Sequence, residues 1–232
     1  MNDSILRKMK QWHNTHIFMD SSYFKPLEDF DFSFDMILDA FSVQDVFEYI
    51  KEISNSLSYV RTSVFGTYEG ERSIFDKPDY FGRTLMCSII SRDDMVPFNW
   101  LLDQGICDIG ITTLNEDPLF ECLYSKGKNA FTMFKEIASK TKTNIFECPR
   151  GNTDGAAIHE AIYYERLEMV KLLIQMGARL EHIDSRGKTA REYILDEPFG
   201  EEWLKELTVL QSQSESQSGS APKIENKKIA NQ

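Results

Sequence analysis

The chain has 232 residues, of which 41% are hydrophobic, so it is long enough to fold around a sizeable core. Its 26 Lys and Arg residues stand against 37 Asp and Glu residues, which gives a formal net charge of -11. A surplus of negative charge repels phosphate backbones and anionic lipids, so neither nucleic acid nor a membrane is expected as a partner. It favours instead a protein partner with a basic surface.

Residues 1–25 are expected to form a capping helix, which runs from Ile5 to about His16 and carries apolar residues at helical spacing. No apolar stretch in the sequence has the form of a signal peptide or reaches the roughly 20 residues that a bilayer requires. The four cysteines show neither Cys-x-x-Cys spacing nor a histidine at zinc-finger spacing. They are expected to be reduced, mostly buried thiols, which predicts a protein of the cytoplasm.

Residues 26–210 are expected to form one repeat domain. Two apolar stripes at helical spacing, 36–41 and 46–50, predict a first pair of helices. A long connector of residues 54–78 follows, with room for a hairpin. Residues 211–232 are rich in Ser, Gln, Lys and Asn and poor in Val, Ile and Leu. This segment cannot bury enough apolar surface to offset its ordering entropy, so a disordered polar tail is predicted.

The clearest pattern begins at Ala156, where two apolar stripes at helical spacing are separated by a polar turn and closed by Gly177. This segment resembles the ankyrin repeat. The matching positions are Ile158, His159, Ala161, Val170, Leu172, Leu173, Gly177 and Ala178.

The same landmarks recur along the chain, as a repeat requires. Thr189 lies 33 residues after Ala156, and Asp117 lies 33 residues after Thr84. The sequence Asp-x-x-Gly-x-Thr occurs at residues 79–84 and again at 184–189. Between Asp117 and Ala156 the interval is 39 residues, which predicts an insertion of six residues within 140–151. The resemblance implies an all-α ankyrin-repeat solenoid of about four to five helix-turn-helix units with short hairpin fingers.

Such a solenoid has a concave face of inner helices and finger tips, which implies binding of a protein partner rather than catalysis. Tyr163 and Tyr164 are adjacent on one helix, so they cannot both point into the core, and Tyr124 occupies the slot of Tyr163 in the preceding unit. Tyrosines are common interface anchors, although scattered surface tyrosines without a role are the alternative. The candidate protein-binding residues are Arg92, Glu121, Tyr124, Glu160, Tyr163, Tyr164, Glu181 and His182.

Several residues invite a chemical role and have a simpler interpretation. His13, His16 and Asp20 have helical spacing, but nothing nearby supplies a fourth metal ligand, so no metal site is expected. For His159 the resemblance implies a structural hydrogen bond to loop backbone rather than general-base catalysis. Cys87 is expected to be buried and therefore unreactive. No cofactor is expected, because the sequence holds no phosphate-binding loop or nucleotide fingerprint.

Three functions remain open at this point. The first is an adaptor or scaffold, of which a microbial effector acting in a host cell is one case. The second is an acidic inhibitor or immunity protein that blocks a basic enzyme such as a nuclease. The third is an enzyme with an unrecognised site in residues 1–78, which would require converging titratable groups.

Overall fold

The computed structural model describes residues 4–5, 7–9, 11, 33–53, 61–63, 66–68, 79, 82–104, 117–140 and 155–218. These segments are mostly helical, which confirms the all-α expectation, and they include one short antiparallel hairpin. The elements are α1 (Phe34–Ala40), α2 (Val43–Ile53), β1 (Arg61–Ser63), β2 (Gly66–Tyr68), α3 (Leu85–Ser91), α4 (Met95–Asp103), α5 (Pro118–Tyr124), α6 (Ala130–Lys140), α7 (Ala157–Tyr163), α8 (Leu167–Gln175), α9 (Ala190–Leu195) and α10 (Gly200–Ser218).

Consecutive helices pack as pairs, and the pairs follow one another in chain order. Each first helix contacts the first helix of the next pair, through α1, α3, α5, α7 and α9. We call these five helices the first-helix row. The second helices α6, α8 and α10 contact one another in the same sequence, and Phe47 of α2 packs edge-on against Trp100 of α4 at 5.0 Å. The described helices therefore form a repeat-like arrangement of two rows with the core between them.

The first pair, α1 and α2, confirms the interpretation of the two apolar stripes before the connector. Ser33 caps α1 by accepting a hydrogen bond from the amide of Met36. Within the connector, β1 and β2 form the expected hairpin, with Thr62 opposite Thr67. Helical residues at the N-terminus belong to the same core, since Met9 is fully buried. His13, His16 and Asp20 lie outside the described residues.

The two Asp-x-x-Gly-x-Thr sequences fold into the same turn. Asp79 and Asp184 are both buried, and each accepts a hydrogen bond from the amide four residues later. The glycine at the fourth position has a positive φ in both turns, 77° and 81°, a backbone conformation that strains residues with a Cβ atom. The threonine that ends each sequence caps the helix that follows. A shared sequence pattern thus produces a shared geometry, 105 residues apart.

The second helix of the fourth pair, α8, buries one stripe, and its phase differs slightly from the apolar pattern in the sequence. Leu173 is fully buried and Val170 lies on the same stripe. Leu172 is only partly buried, so truncating it would open a smaller cavity than truncating Leu173. The pattern alone treats the two leucines as equivalent, because the direction of the neighbouring helices decides which one faces the core.

The boundary predicted for the C-terminal tail is wrong. The last helix, α10, continues through Ser218 instead of ending before residue 211. Gln211 explains part of the extension, because its side-chain oxygen accepts a hydrogen bond from the amide of Leu180 at 2.9 Å. Its side-chain nitrogen donates to Glu181 at 2.9 Å and to Glu215. Residues 219–232 lie outside the described part of the chain.

The predicted insertion within 140–151 also falls outside the described residues, apart from Lys140 at the end of α6. None of the helices in the described segments combines the length and the apolar character needed to cross a bilayer.

Candidate protein-binding site on the first-helix row

Three tyrosines from two consecutive pairs contact one another on the first-helix row. Tyr124 is the last residue of α5, Tyr163 is the last residue of α7, and Tyr164 caps that helix. The ring of Tyr164 lies 5.0 Å from the ring of Tyr124 and 5.0 Å from that of Tyr163, edge to face in both contacts. We call Tyr124, Tyr163 and Tyr164 the tyrosine cluster.

The tyrosine cluster is open to solvent on one side. Tyr163 is 55% exposed, whereas Tyr124 and Tyr164 are half-buried. The period of the sequence predicts that Tyr124 and Tyr163 line up across neighbouring units. The structure joins them through Tyr164, which lies between the other two rings. Tyr163 and Tyr164 do not both turn into the core, as expected of adjacent residues. Their rings contact each other at the end of α7, with Tyr163 exposed and Tyr164 half-buried.

Acidic side chains act on the Tyr124 hydroxyl of the cluster. Burial raises the pKa of the Tyr124 hydroxyl above its ordinary value, and the charge of Glu160 acts in the same direction. Glu121 adds a smaller effect of the same sign. Glu121 and Glu160 hold equivalent positions in successive pairs, four residues after Asp117 and Ala156. Two acidic side chains therefore accompany the aromatic surface.

The prediction that Glu160 contacts a partner directly is wrong, because its exposed fraction is 0%. It lies in the middle of α7, which packs between α5 and α9 in the first-helix row. Its charge affects the pKa of Tyr124 on one side and of Tyr193 in α9 on the other. The sequence spacing predicts an exposed Glu160. It is buried because α5 and α9 both pack closely against α7.

Glu121 is engaged within the chain and keeps only 16% of its side chain exposed. Arg83, directly before the cap of α3, donates to Glu121 at 2.6 Å and also reaches Asp35 in α1 at 3.4 Å. Burial raises the pKa of the Glu121 carboxyl, and the charge of Arg83 opposes that shift. Arg83 was not among the predicted site residues. Its bridge across three pairs depends on packing that a sequence period does not report.

Arg92 is exposed at the end of α3, but its guanidinium group is also held within the chain. It donates to Asp39 from both terminal nitrogens, at 2.8 and 2.5 Å, and to the backbone carbonyl of Asp35 at 3.3 Å. An exposed ion pair of this kind adds at most about 1 kcal/mol to stability. If Arg92 left Asp39 and Asp35, its charge would be available to a partner, and the fold would lose little stability.

Glu181 and His182 lie on the turn before α9, one pair beyond the tyrosine cluster. Glu181 accepts hydrogen bonds from Arg191 at 3.0 Å and from Gln211. The backbone carbonyl of His182 lies 3.1 Å from Nε2 of His159. These two residues therefore belong to a second group of contacts, centred on the turn of Asp184.

His159 has the structural role that the ankyrin resemblance implies for it. Its Nδ1 accepts a hydrogen bond from the amide of Ala156 at 3.1 Å, so in the neutral ring Nε2 carries the proton and donates to His182. Burial lowers the pKa of His159, which favours this neutral form. A fully buried ring with both nitrogens occupied by backbone groups is poorly placed for proton transfer to a substrate.

Cys87 is a buried thiol in an unreactive environment, and Cys122 is a buried thiol as well. Burial raises the pKa of the Cys87 thiol to about 12, so the nucleophilic thiolate is scarce at neutral pH. Within the described parts of the chain, no three His, Cys, Asp or Glu side chains are grouped so that they could hold a metal ion.

The comparisons with known proteins add no relative to this picture. No family model matches the chain, and no curated protein matches it either.

Proposed function

We propose that the chain is an ankyrin-repeat protein whose helix pairs form a solenoid. The 33-residue interval, the two equivalent turns at Asp79 and Asp184, and the hydrogen bonds of His159 support this assignment. The contacts within the first-helix row and within the second helices are those expected of stacked repeats.

The function we propose is protein–protein interaction, as an adaptor or scaffold without enzymatic activity. The observation that carries it is the tyrosine cluster, because it joins exposed aromatic surface from two consecutive pairs on one side of the stack. Aromatic side chains with a polar end are enriched among residues that dominate binding energy. The net charge of -11 favours a partner with a basic surface. Two buried thiols fit the cytoplasm as the compartment.

A quantitative pull-down tests the proposal. The wild-type protein and Tyr163→Ala are used as bait in the same cell extract, with Phe131→Ala as the matched control. Phe131 is an exposed aromatic residue on α6, a second helix, so its loss removes similar surface elsewhere. A partner of the tyrosine cluster is depleted by Tyr163→Ala and retained by Phe131→Ala. Equal capture by all three baits would contradict the assignment of the site.

The acidic surface also supports a second candidate, an inhibitor or immunity protein that blocks a basic enzyme. The two functions differ in what happens to the partner's activity. Loss of that activity in the complex, with a strong dependence of the association rate on salt, would select inhibition. Unchanged activity would select the adaptor.

A further inference from the structure

The turn before α6 and the outer side of that helix form a basic surface on an acidic chain. Residues 125–140 contain four lysines and a single carboxylate, that of Glu136, whereas the whole chain has a formal net charge of -11. All four lysines are exposed, and so is the ring of Phe131 among them. We call this surface the basic face, which consists of Lys126, Lys128, Phe131, Lys135 and Lys140.

Helix geometry brings these side chains to one side of the molecule. The side of α6 that faces the core carries five buried residues, Ala130, Met133, Phe134, Ile137 and Ala138. The other residues of the helix are exposed and point away from the core between the two rows. Phe131 and Lys135 are four residues apart and are therefore neighbours on that outer side. Lys128 lies three residues before Phe131, in the turn that leads into the helix.

The lysines of the basic face are not neutralised within the described part of the chain. On the neighbouring second helix α8, by contrast, the Lys171 ammonium lies 2.8 Å from the Glu168 carboxylate and 2.6 Å from that of Glu206. No carboxylate of the described residues lies within ion-pair distance of a lysine of the basic face. This holds even for Glu136 and Lys140, which have the spacing that favours a pair along a helix. The positive charge is therefore available to a partner.

Carboxylates near the basic face limit the size of what it can bind. Asp93 reaches the turn before α6, where its carboxylate accepts a hydrogen bond from the Asn129 amide at 2.9 Å. Beside α6 lies α8, which carries the exposed Glu168. A helix of 11 residues is about 16 Å long. A nucleic acid or an anionic bilayer would extend beyond that length and meet repulsion from the acidic remainder of the chain. A short acidic segment fits within it.

We propose that the basic face binds a short acidic segment of a partner protein, with carboxylates against the lysines and an apolar side chain against Phe131. The apolar contact is part of the site because exposed ion pairs alone contribute little to binding, whereas aromatic side chains are common anchors. The basic face is separate from the tyrosine cluster, and the inference does not depend on the function proposed for that cluster. An adaptor that used both surfaces would join two partners of opposite charge.

Two peptides of equal length separate charge from shape. One is an acetylated and amidated peptide in which Glu-Glu-Leu-Glu occurs twice, and the other has Gln in place of every Glu. Each is titrated into the full chain, and the backbone amide signals of residues 126–140 are followed by NMR. The Glu peptide should shift these signals along a saturable curve. At low ionic strength it should bind roughly tenfold more tightly than the Gln peptide, as two or three exposed ion pairs would provide, and added salt should reduce the ratio.

Matched variants locate the binding. Lys135→Gln should lower the preference for the Glu peptide, and replacement of all four lysines of the basic face by Gln should remove it. Lys205→Gln deletes an exposed lysine on α10, another second helix, and should leave the preference unchanged. Phe131→Ala should weaken binding of the Glu peptide several-fold. All of these side chains are exposed, so far-UV circular dichroism should match that of the wild type.

Equal binding of the two peptides, a preference that survives the fourfold replacement, or an equal loss in Lys205→Gln would overturn the proposal. Lysine-dependent binding to phosphatidylserine vesicles or to a short single-stranded DNA, without binding of the Glu peptide, would overturn it as well. Partner capture that depends on Tyr163 is a separate result. Failure of the basic face leaves that capture unchanged, and failure of the tyrosine cluster leaves the peptide preference unchanged.

Discussion

The turns at Asp79 and Asp184 share two backbone hydrogen bonds and the same first side-chain hydrogen bond, but the second carboxylate oxygen is used differently. In the first turn it accepts the amide of Phe34 at 2.7 Å, at the start of α1. In the second it accepts the hydroxyl of Tyr193 at 2.6 Å, within the helix that directly follows the turn. One sequence pattern therefore makes a link of 45 residues in one place and a local link in the other.

This difference shows how the two ends of the stack are held. The first pair lacks the clear repeat pattern, and the Asp79 carboxylate together with Arg83 ties it to the pairs that follow. The last pair begins with the Asp-x-x-Gly-x-Thr sequence and is closed by contacts of its own, with Gln211 binding back to Leu180. Regular repeats need only their neighbours, whereas a degenerate unit needs long-range polar contacts as well.

The largest effect that separates the two turns is expected from substitution by Asn. An asparagine has one acceptor oxygen where the aspartate has two. In Asp79→Asn, therefore, either the Phe34 amide or the Arg83 amide loses its acceptor. A buried donor left without an acceptor costs about 1–3 kcal/mol. Asp184→Asn should cost less, because the Tyr193 hydroxyl can turn and accept from the new amide, and the exposed Arg186 side chain, which also donates to this oxygen, can turn to solvent. Urea unfolding of both variants measures the difference, and hydrogen exchange at Phe34 should accelerate only in Asp79→Asn.

The second effect concerns only the second turn. Tyr193→Phe removes the hydroxyl that donates to Asp184 and should destabilise the fold by about 1.5 kcal/mol, the lower end of the range for hydrogen bonds to a charged group, because Tyr193 is only partly buried. Tyr193→Phe combined with Asp184→Asn tests the coupling, since the two losses should be less than additive. Strict additivity would mean that the hydroxyl and the carboxylate do not act together.

The stability of the fold in acid should depend on the same hydrogen bond between Tyr193 and Asp184. Burial acts to raise the pKa of the Asp184 carboxyl, but the hydrogen bonds from Tyr193 and from the amides of Lys188 and Arg186 outweigh it and lower the pKa to about 2. Because the folded pKa lies below the ordinary value of 3.8, the carboxylate stabilises the fold above about pH 4, and this contribution is lost as pH falls toward 2. In Tyr193→Phe the folded pKa should lie closer to 3.8, so the loss should be smaller and its lower limit should shift to higher pH. Unfolding midpoints measured between pH 5 and pH 2 would show the shift, and identical curves would contradict it.

The sequence predicts the parts of this structure that depend on local spacing. It places the helix pairs, the equivalence of the two turns, and the neighbouring tyrosines in successive units, and it leaves room for the hairpin between β1 and β2. It does not predict that Glu160 is fully buried or that Arg83 joins Glu121 to Asp35, because those outcomes depend on how closely three helices approach. It also fails for residues 211–218. Their polar composition predicts disorder, but the Gln211 side chain accepts a hydrogen bond from the Leu180 amide, and these residues are helical.

The smallest effect is expected from shortening α10. A chain that ends at residue 210 loses the Gln211 side chain, and the Leu180 amide loses its acceptor, compared with a chain that ends at residue 218. The difference in stability should be about 1 kcal/mol, the usual value for one hydrogen bond. Thermal unfolding of the two truncated chains measures it, and equal midpoints would mean that the helical extension adds nothing to the last pair.

Binding through the tyrosine cluster is tested most directly by titration calorimetry of the captured partner against Tyr163→Ala and Tyr163→Phe. Tyr163 is exposed, so its truncation should leave the fold intact, as far-UV circular dichroism can verify. Interface anchors contribute about 2 kcal/mol or more, so Tyr163→Ala should weaken binding by roughly thirtyfold. Tyr163→Phe, which keeps the aromatic face, should bind within a few-fold of the wild type. Wild-type affinity in Tyr163→Ala would contradict a protein-binding site on this part of the first-helix row.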